Sequence, residues 1–226
     1  MKVALIVGLC CVMLAPASIP TPELLGRFDP GTHEGFVRIA AKYTTKPEIY
    51  MRGEAYAAFE RMHAAAKLEG VNLVIVSATR NFDYQKGIWE RKWNRPQYMG
   101  WQDLDKVKDI MRYSSMPGTS RHHWGTDVDF NHLENDWFTK GEGKKLYDWL
   151  QAHAGEYGFA QTYTSKASGR TGYEEEKWHW SYLPLAKGYL EAYKAQVTYQ
   201  DVTGFSGAEQ AESIRAIEDF VCGVSE

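Results

Sequence analysis

Two polar motifs that lie far apart in the chain place the strongest constraint on its fold. The first, Ser-Arg-His-His-Trp-Gly-Thr-Asp-Val-Asp, contains His122 and ends at Asp129. The second, Glu-Lys-Trp-His, begins at Glu176 and ends at His179. Two imidazoles, one carboxylate and a spare glutamate match a catalytic zinc site, which has three protein ligands, a free position for water and a general base. We therefore expect the fold to bring the two motifs together.

The first motif combines a bend with a strand. Polar and apolar residues alternate over 126–131, which predicts a strand with Asp127 and Asp129 on its polar face. Gly125 allows a tight bend before this strand, so that His122 can fold back beside Asp129. An imidazole and a carboxylate are compatible zinc donors. Alone, His122 would be interpreted as a surface or hydrogen-bonded structural histidine; its pairing with Asp129 and with the second motif favours a ligand.

The second motif alternates in the same way. On a strand, Trp178 and Trp180 face one side and His179 faces the other, which favours two buried indoles and a third ligand. The alternative is a histidine that merely adjoins the core. Glu176 is the candidate base, but in a regular strand it would face away from His179, so it must lie at the strand entry or across a bulge. The two preceding glutamates are rivals, because a run of three glutamates is usually a solvated loop.

The order of elements predicts an α+β domain with a small, mostly antiparallel sheet and packed helices. Strands are predicted over 71–77, 126–131 and 177–182, and helices over 48–69, 83–93, 104–113, 143–157, 185–197 and 208–221. Gly70 occupies a C-cap position after the first of these helices. A length of 226 residues and a hydrophobic content of 44% suit one core, so one domain with terminal extensions is expected.

The pattern Ser-x-His-x-x-Gly-x-x-x-Asp followed by Glu-x-Trp-His resembles the VanY-type D-alanyl-D-alanine carboxypeptidases. These belong to the LAS group, with VanX-type dipeptidases and the Hedgehog amino-terminal domain. Residues 77–85, an arginine after a strand, resemble a third motif of the family, and the resemblance covers roughly residues 50–185. It implies a Hedgehog-like or DD-peptidase-like fold and five functional residues: the zinc ligands His122, Asp129 and His179, the base Glu176, and Arg80 on the carbonyl oxygen.

The resemblance also concerns the substrate site. It implies that Ser120 and Gln85 line this site. The chain departs from the family at Asp127, where many members have Ala, and a second carboxylate beside the metal is expected to bind a water or a substrate amine. Arg80 has an alternative interpretation as a surface arginine in a salt bridge. His123 is expected to point away from His122 and to bind no metal.

The implied activity is hydrolysis of the terminal peptide bond of peptidoglycan stem peptides that end in D-Ala. Zinc would lower the pKa of its water to about 7. Glu176 would take the water proton and deliver it to the leaving amine, while zinc and Arg80 would stabilise the oxyanion. Rivals are an L,D-carboxypeptidase, a dipeptidase or a wall endopeptidase on the same scaffold, and a non-catalytic zinc-containing wall-binding or signalling module. A serine hydrolase using Ser120 is disfavoured, because no nucleophile-elbow glycines surround that serine.

The amino terminus predicts export. Lys2 precedes an apolar run over residues 3–14, and Ala15-Pro16-Ala17 has the small-x-small form of a cleavage site. The run is too short to span a bilayer comfortably, so we expect a periplasmic or cell-envelope protein without a membrane span after cleavage. The alternative is an uncleaved anchor. The expected segments are a signal peptide (1–17), an arm (18–45), a zinc peptidase domain (46–200) and a helical extension (201–226).

Composition narrows the possible partners. The net charge of −3 shows no basic excess, so nothing indicates binding to nucleic acid or to an anionic membrane. Cleavage of the signal peptide would leave Cys222 as the only cysteine, which predicts no internal disulfide and no thiolate ligand for zinc. We expect a monomer whose partner is its stem-peptide substrate.

Overall fold

Short antiparallel strands form the framework of the computed structural model, which describes residues 19–225. In this range the strands are β1 (Phe36–Arg38), β2 (Tyr50–Arg52), β3 (Ile75–Ser77), β4 (Asp127–Phe130), β5 (Phe159–Gln161) and β6 (His179–Tyr182). β1 pairs with β2, and the other four strands form one sheet in the order β3-β4-β6-β5. Every one of these pairings is antiparallel, which confirms the predicted sheet.

Helices pack against this framework and complete the predicted α+β fold. They are α1 (Thr21–Leu24), α2 (Gly53–Leu68), α3 (Phe82–Trp93), α4 (Asp103–Ile110), α5 (Gly141–His153) and α6 (Leu183–Gln196). The main hydrophobic cluster joins α2 and α5 to the sheet through residues such as Phe59, Leu150 and Phe130. Val128 and Phe130 are fully buried in it, as the alternation predicted, and each stabilises the fold by about 1.5–3 kcal/mol relative to exposure. Asp127 and Asp129 consequently take the opposite face of β4.

Two predicted boundaries differ from the structure because of strand pairing. The helix predicted over 48–69 begins at Gly53, since Tyr50–Arg52 pairs with β1 instead. The helix predicted over 143–157 ends at His153 and continues as a 3-10 turn to Tyr157, after which β5 begins. We did not predict β1, β2 or β5. Each has only three residues, which is too short for an alternation of side chains to be recognised.

The segment after residue 200 packs against the rest of the molecule. The helix predicted over 208–221 is instead a short 3-10 turn, Ala208–Gln210, and a π-helical turn, Ala216–Val221. Ile217 and Val221 lie in a hydrophobic cluster with residues of α1 and α6, and the backbone N–H of Ser225 donates to the Thr162 carbonyl at 3.0 Å. The terminal segment is therefore docked on the fold.

The predicted signal peptide, residues 1–17, lies outside the described residues. Among the helices that are described, none combines the length and the apolar character needed to cross a bilayer.

Candidate active site

The two sequence motifs converge on one buried cluster. Asp129 on β4 and His179 on β6 are directly opposite each other in the antiparallel register. His122 joins them from a 3-10 turn, Arg121–Trp124, that precedes the strand. One ligand atom from each of these three residues lies within 4.8 Å of the others, and all three side chains are buried. The predicted metal ligands are therefore close enough to share one ion.

A left-handed glycine makes this convergence possible. Gly125 ends the 3-10 turn with a φ of 75°, a conformation that side chains with a Cβ rarely adopt. A Cβ at this position would also lie 2.3 Å from the ring of Phe36. The bend returns His122 to the polar face of β4, where its Nε2 lies 3.4 Å from Asp129 Oδ2.

The hydrogen bonds of His122 fit the binding of a cation. Its Nδ1 lies 2.8 Å from the carbonyl oxygen of Ala78, and since a carbonyl only accepts, Nδ1 carries the proton. The lone pair of the neutral ring is then on Nε2, which is buried and has no hydrogen-bond partner in the described part of the chain. An orphaned imidazole nitrogen facing a carboxylate is a donor that a metal ion would satisfy.

The electrostatics of the cluster fit the same interpretation. Burial would raise the pKa of the Asp129 carboxyl, but His122 and His179 outweigh it and hold this pKa well below its usual value. Burial would lower the pKa of His179, but hydrogen bonds to Asp127 and Asp129 raise it to about 9. The carboxylate is thus held in its charged form. A metal bound here would replace the proton that His179 Nδ1 otherwise shares with Asp129.

Glu176 is placed beside the ligands by a turn at the entry of β6. The His179 N–H donates to the Glu176 carbonyl at 3.3 Å, which folds the chain so that Glu176 Oε2 lies 3.7 Å from His179 Nδ1. Glu176 is buried, and this burial raises its pKa to about 7. Glu174 instead pairs with Lys166 at 3.0 Å, and Glu175 is only partly buried. Of the three glutamates, Glu176 is the one at the cluster.

Arg80 follows β3 and faces the same cavity. The cavity has a volume of about 820 Å³, and its lining includes Arg80, Glu176 and the three candidate ligands. The Nε of Arg80 is buried without a hydrogen-bond partner among the described residues. No carboxylate in that part of the chain forms an ion pair with it, which contradicts the alternative of a surface salt bridge. Its charge is directed at the cavity instead.

Ser120 and Gln85 are buried and are not among the residues that line the cavity. Gln85 Nε2 donates to the Ser115 carbonyl at 2.7 Å, while its Oε1 and the Ser120 hydroxyl have no partner among residues 19–225. Their contact with substrate stays a prediction. The Nδ1 of His122 is held by Ala78 and Ser120 makes no hydrogen bond to the ring, so the serine hydrolase alternative has no support.

The expectation for Asp127 is wrong. Its side chain is 0% exposed, and both oxygens already accept hydrogen bonds from other side chains. Oδ1 accepts from Thr126 at 2.8 Å and Ser181 at 2.6 Å, and Oδ2 accepts from Arg121 at 3.1 Å and His179 at 2.8 Å. Asp127 and Asp129 lie on the same face of β4. Asp127 is opposite Ser181, two residues after His179 on β6, so its carboxylate contacts Nε2 of the His179 ring. It cannot bind a water or a substrate amine there.

His123 is held away from the cluster, as expected. Its Nδ1 lies 2.6 Å from the Arg80 carbonyl and its Nε2 accepts from the Gly118 N–H at 3.0 Å. Both ring nitrogens are therefore occupied.

Several residues of the site were not found from the sequence. Arg121 is almost completely buried and binds Asp127, and no local pattern distinguishes it from a surface arginine. Tyr163 packs on His179 with ring centroids 4.6 Å apart, although it comes from an irregular segment after β5. Lys92 lines the cavity from α3, one helical turn after Ile88, which also lines it. Tyr84, Ile88 and Lys92 recur every four residues along α3 and all line the cavity, so helical spacing is the signal that could have indicated Lys92.

The fold and the site together define a class: small α+β domains in which two histidines and an aspartate that could share a metal ion lie beside a buried glutamate. The sequence pattern of the VanY family, described as D-alanyl-D-alanine carboxypeptidase, matches residues 48–185. The chain belongs to this family, which confirms the resemblance inferred from the three motifs.

Individual relatives agree with this assignment. The chain is 34% identical over 136 residues to YodJ of Bacillus subtilis (strain 168), a protein named as a carboxypeptidase; the match covers 59% of this chain and 46% of YodJ. The chain spans about half the length of the curated relatives it matches.

Solved structures share the fold. The LdcB LD-carboxypeptidase has a TM-score of 0.56 at 23% identity, covering 84% of this chain and 81% of that chain. A variant of the vancomycin resistance D,D-pentapeptidase VanY in complex with Zn(II) has a TM-score of 0.51 at 22% identity, covering 70% and 89%. At these identities the likeness shows the fold.

Proposed function

We propose that this protein is a zinc-dependent D-alanyl-D-alanine carboxypeptidase that hydrolyses the terminal peptide bond of peptidoglycan stem peptides. One observation carries the proposal: His122, Asp129 and His179 meet at one point of a cavity that Glu176 and Arg80 also line. Two imidazoles and one carboxylate suit zinc, and the partnerless Nε2 of His122 supports a bound cation. Family membership and a VanY structure with Zn(II) support the same metal.

In the proposed site His122, Asp129 and His179 hold the zinc ion, which would supply a Lewis acid for the carbonyl and acidify a water molecule. Glu176 takes a proton from the attacking water, whose oxygen bonds to the scissile carbon. A buried carboxyl with a pKa of about 7 can hold this proton and then release it at neutral pH. The proton passes to the leaving nitrogen as the C–N bond breaks, which yields D-Ala and a shortened peptide with a new carboxylate.

Arg80 stabilises the charge that develops on the carbonyl oxygen. A guanidinium is permanently charged, and this one forms no ion pair with a carboxylate among the described residues. Removing comparable oxyanion donors from other enzymes lowers turnover about 10²–10³-fold. Both Glu176 and Arg80 are present and directed into the cavity, which argues against a non-catalytic wall-binding module.

A group of cations on one side of the cavity favours a carboxypeptidase over an endopeptidase. Beyond Arg80, the lining includes Lys92 and Arg95. Lys92 forms no ion pair within residues 19–225, and its burial, with Arg95 and Arg80 nearby, lowers its pKa to about 8. A partly desolvated ammonium near other cations is stabilised by an anion, which the free carboxylate of a peptide terminus would provide. An internal peptide segment would bring no such charge from its backbone.

An L,D-carboxypeptidase is the second candidate. The LdcB LD-carboxypeptidase shares the fold over 84% of this chain, and its substrate also ends in a carboxylate. The two candidates differ in the bond that is cleaved, because a stem pentapeptide ends in D-Ala-D-Ala while the tetrapeptide ends in a single D-Ala after an L-centre.

Product analysis separates these activities. Purified zinc-loaded protein is incubated with tri-, tetra- and pentapeptide stems, and the products are identified by mass. We expect loss of one D-Ala from the pentapeptide; loss of D-Ala from the tetrapeptide alone would establish the second candidate, and internal cleavage would establish an endopeptidase. Glu176→Gln is the control, since it keeps the side-chain shape and removes the base. Absence of any cleavage by the zinc-loaded protein would contradict the proposal.

We also propose export to the periplasm or cell envelope and a monomeric state. Export is supported by the signal-like pattern of residues 1–17 together with membership of a family described by a wall-peptide substrate. Fractionation and amino-terminal sequencing of the mature protein test the first proposal, and light scattering tests the second.

A further inference from the structure

A buried ionic cluster lies behind His179 and has no part in the proposed reaction. Arg121 is 3% exposed, and its Nε donates to Asp127 Oδ2 at 3.1 Å while its Nη2 donates to the Ser181 hydroxyl at 3.1 Å. The guanidinium also lies 4.7 Å from the ring of Trp124. Asp127 in turn accepts from His179 Nε2 at 2.8 Å. Arg121, Asp127 and His179 thus form a continuous buried chain of contacts.

This chain of contacts determines which nitrogen of His179 can bind a metal. A charged carboxylate only accepts hydrogen bonds, so the Nε2 that faces Asp127 must carry a proton. Nδ1 lies 3.1 Å from Asp129 Oδ1, inside the candidate ligand cluster, so a metal ion shared with Asp129 would take the place of the Nδ1 proton while Nε2 keeps its own. Asp127 therefore sets both the tautomer and the orientation of the ring.

Arg121 holds Asp127 in the position that this requires. The carboxylate of Asp127 accepts four hydrogen bonds, and three of them, from Arg121, Thr126 and Ser181, come from groups that touch no candidate ligand. These bonds determine the plane of the carboxylate and leave Oδ2 directed at His179. Arg121 Nη1 is buried without a partner among the described residues, but both oxygens of Asp127 are fully hydrogen-bonded. Rotation of this carboxylate would therefore leave a buried charge without its partners, which holds it in one orientation.

We propose that Asp127 is a positioning residue for the metal site: supported by Arg121, it presents His179 as an Nδ1 ligand and so increases the affinity for zinc. The inference rests on the proposed zinc site. Loss of a carboxylate that orients a ligating histidine typically weakens metal binding about 10–100-fold. The competing explanation is purely structural, in which Asp127 serves only to neutralise a buried Arg121.

A double variant separates the two explanations. Asp127→Ala alone would leave Arg121 charged and unpaired in the interior, so a loss of affinity could reflect poor folding. Asp127→Ala combined with Arg121→Met removes both charges and retains the volume of the arginine stem. Zinc affinity is measured on the full chain by competition with a chromophoric chelator, beside the melting temperature. We expect a melting temperature close to that of the wild type with zinc bound about 10–100-fold more weakly.

Two further measurements complete the test. Val128→Ala, on the core face of the same strand, destabilises the fold without touching the network, and it should lower the melting temperature with little change in zinc affinity. Nitrogen-15 spectra of the zinc-bound wild type should show the His179 proton on Nε2. If the double variant does not fold, Asp127→Leu combined with Arg121→Met replaces it, because leucine keeps the size of the aspartate, accepts no hydrogen bond from His179 and leaves no arginine unpaired.

The proposal is overturned if the double variant, or Asp127→Leu with Arg121→Met in its place, binds zinc as tightly as the wild type. It is also overturned if the proton of zinc-bound His179 is found on Nδ1. A wild-type protein that binds no zinc would instead refute the proposed metal site, so the two failures are distinguishable.

Discussion

The two walls of the cavity are built in opposite ways. The sheet wall, formed by Asp129 and His179 on β4 and β6, has its charges paired within the protein, since both ring nitrogens of His179 lie within 3.1 Å of a carboxylate oxygen. The helix wall, formed by Arg80, Lys92 and Arg95 from the end of β3 to the end of α3, has no such pairing: Arg80 Nε is buried without a partner in the described chain. The protein therefore pairs the side chains of the proposed metal site with one another and leaves cations without an ion-pair partner among the described residues on the wall where the proposed substrate would supply the opposite charge.

The largest expected effect is on the sheet wall and comes from removing the metal. Chelation should abolish turnover, and zinc at about 100 times its Kd should stabilise the fold by about 2.7 kcal/mol. Metal analysis of purified protein should find about one zinc per chain. His179→Ala is the matched control, because it should remove the stabilisation by zinc; an equal rise in melting temperature for both proteins would show that zinc binds elsewhere.

Loss of Glu176 should lower turnover almost as much as removal of the metal does, but it should leave the proposed metal ligands of the sheet wall unchanged. Glu176→Ala removes the proposed base, which should lower turnover about 10²–10⁴-fold, and the three metal ligands remain. D-Ala release and metal content are measured on the same sample. Release of D-Ala at a nearly normal rate would remove Glu176 from this role, whereas loss of zinc would assign it to the metal.

Substitution of Arg80 tests whether a cation of the helix wall contributes to turnover. Arg80→Ala should lower turnover about 10²–10³-fold, since it removes the charge that faces the developing oxyanion. Zinc affinity should change much less, because Arg80 donates no side-chain hydrogen bond to a candidate ligand within residues 19–225. Arg80→Lys keeps the positive charge but loses the planar guanidinium, so its turnover should lie between that of the wild type and that of Arg80→Ala. An unchanged rate would place the positive charge of Arg80 outside the reaction.

The smallest expected effect concerns the far end of the helix wall. Lys92→Met should raise KM about tenfold for peptides with a free terminal carboxylate, since one charge-assisted hydrogen bond contributes about 1.5 kcal/mol. Carboxyl-terminally amidated peptides should bind the variant and the wild type equally. Lys92→Arg is the control that keeps the charge. An equal rise in KM for peptides with a free and with an amidated carboxyl terminus would show that Lys92 does not contact the carboxylate.

Local patterns predicted the parts of the site that depend on neighbouring residues in the chain. The alternation around Asp129 and His179 placed both on the polar faces of strands, and the structure brings them opposite each other. The bend at Gly125 was expected for the same local reason, and its φ of 75° agrees. Three-residue strands such as β5 were missed, because they contain too few residues for a periodicity to be detected.

The role of Asp127 could not be predicted from local sequence patterns. Its position on the face of Asp129 was predicted correctly, but its partners were not, because Ser181 comes from another strand and Arg121 from a turn. Glu176 shows the same dependence: within a run of three similar glutamates, a turn and the burial of one carboxyl decided which of them adjoins His179.

From the sequence alone, the chemistry available to this protein was already determined: which imidazoles and carboxylates it carries, which strands present them, and to which family their spacing corresponds. The tertiary structure alone decided the role of each charge. A charge that meets a buried partner, as Asp127 meets Arg121, becomes part of the framework, and one that meets none, as at Arg80, is left for a ligand. Such pairings depend on how a turn, as at Arg121, or another strand, as at Ser181, packs against the residue, so the free energy that selects them arises from packing.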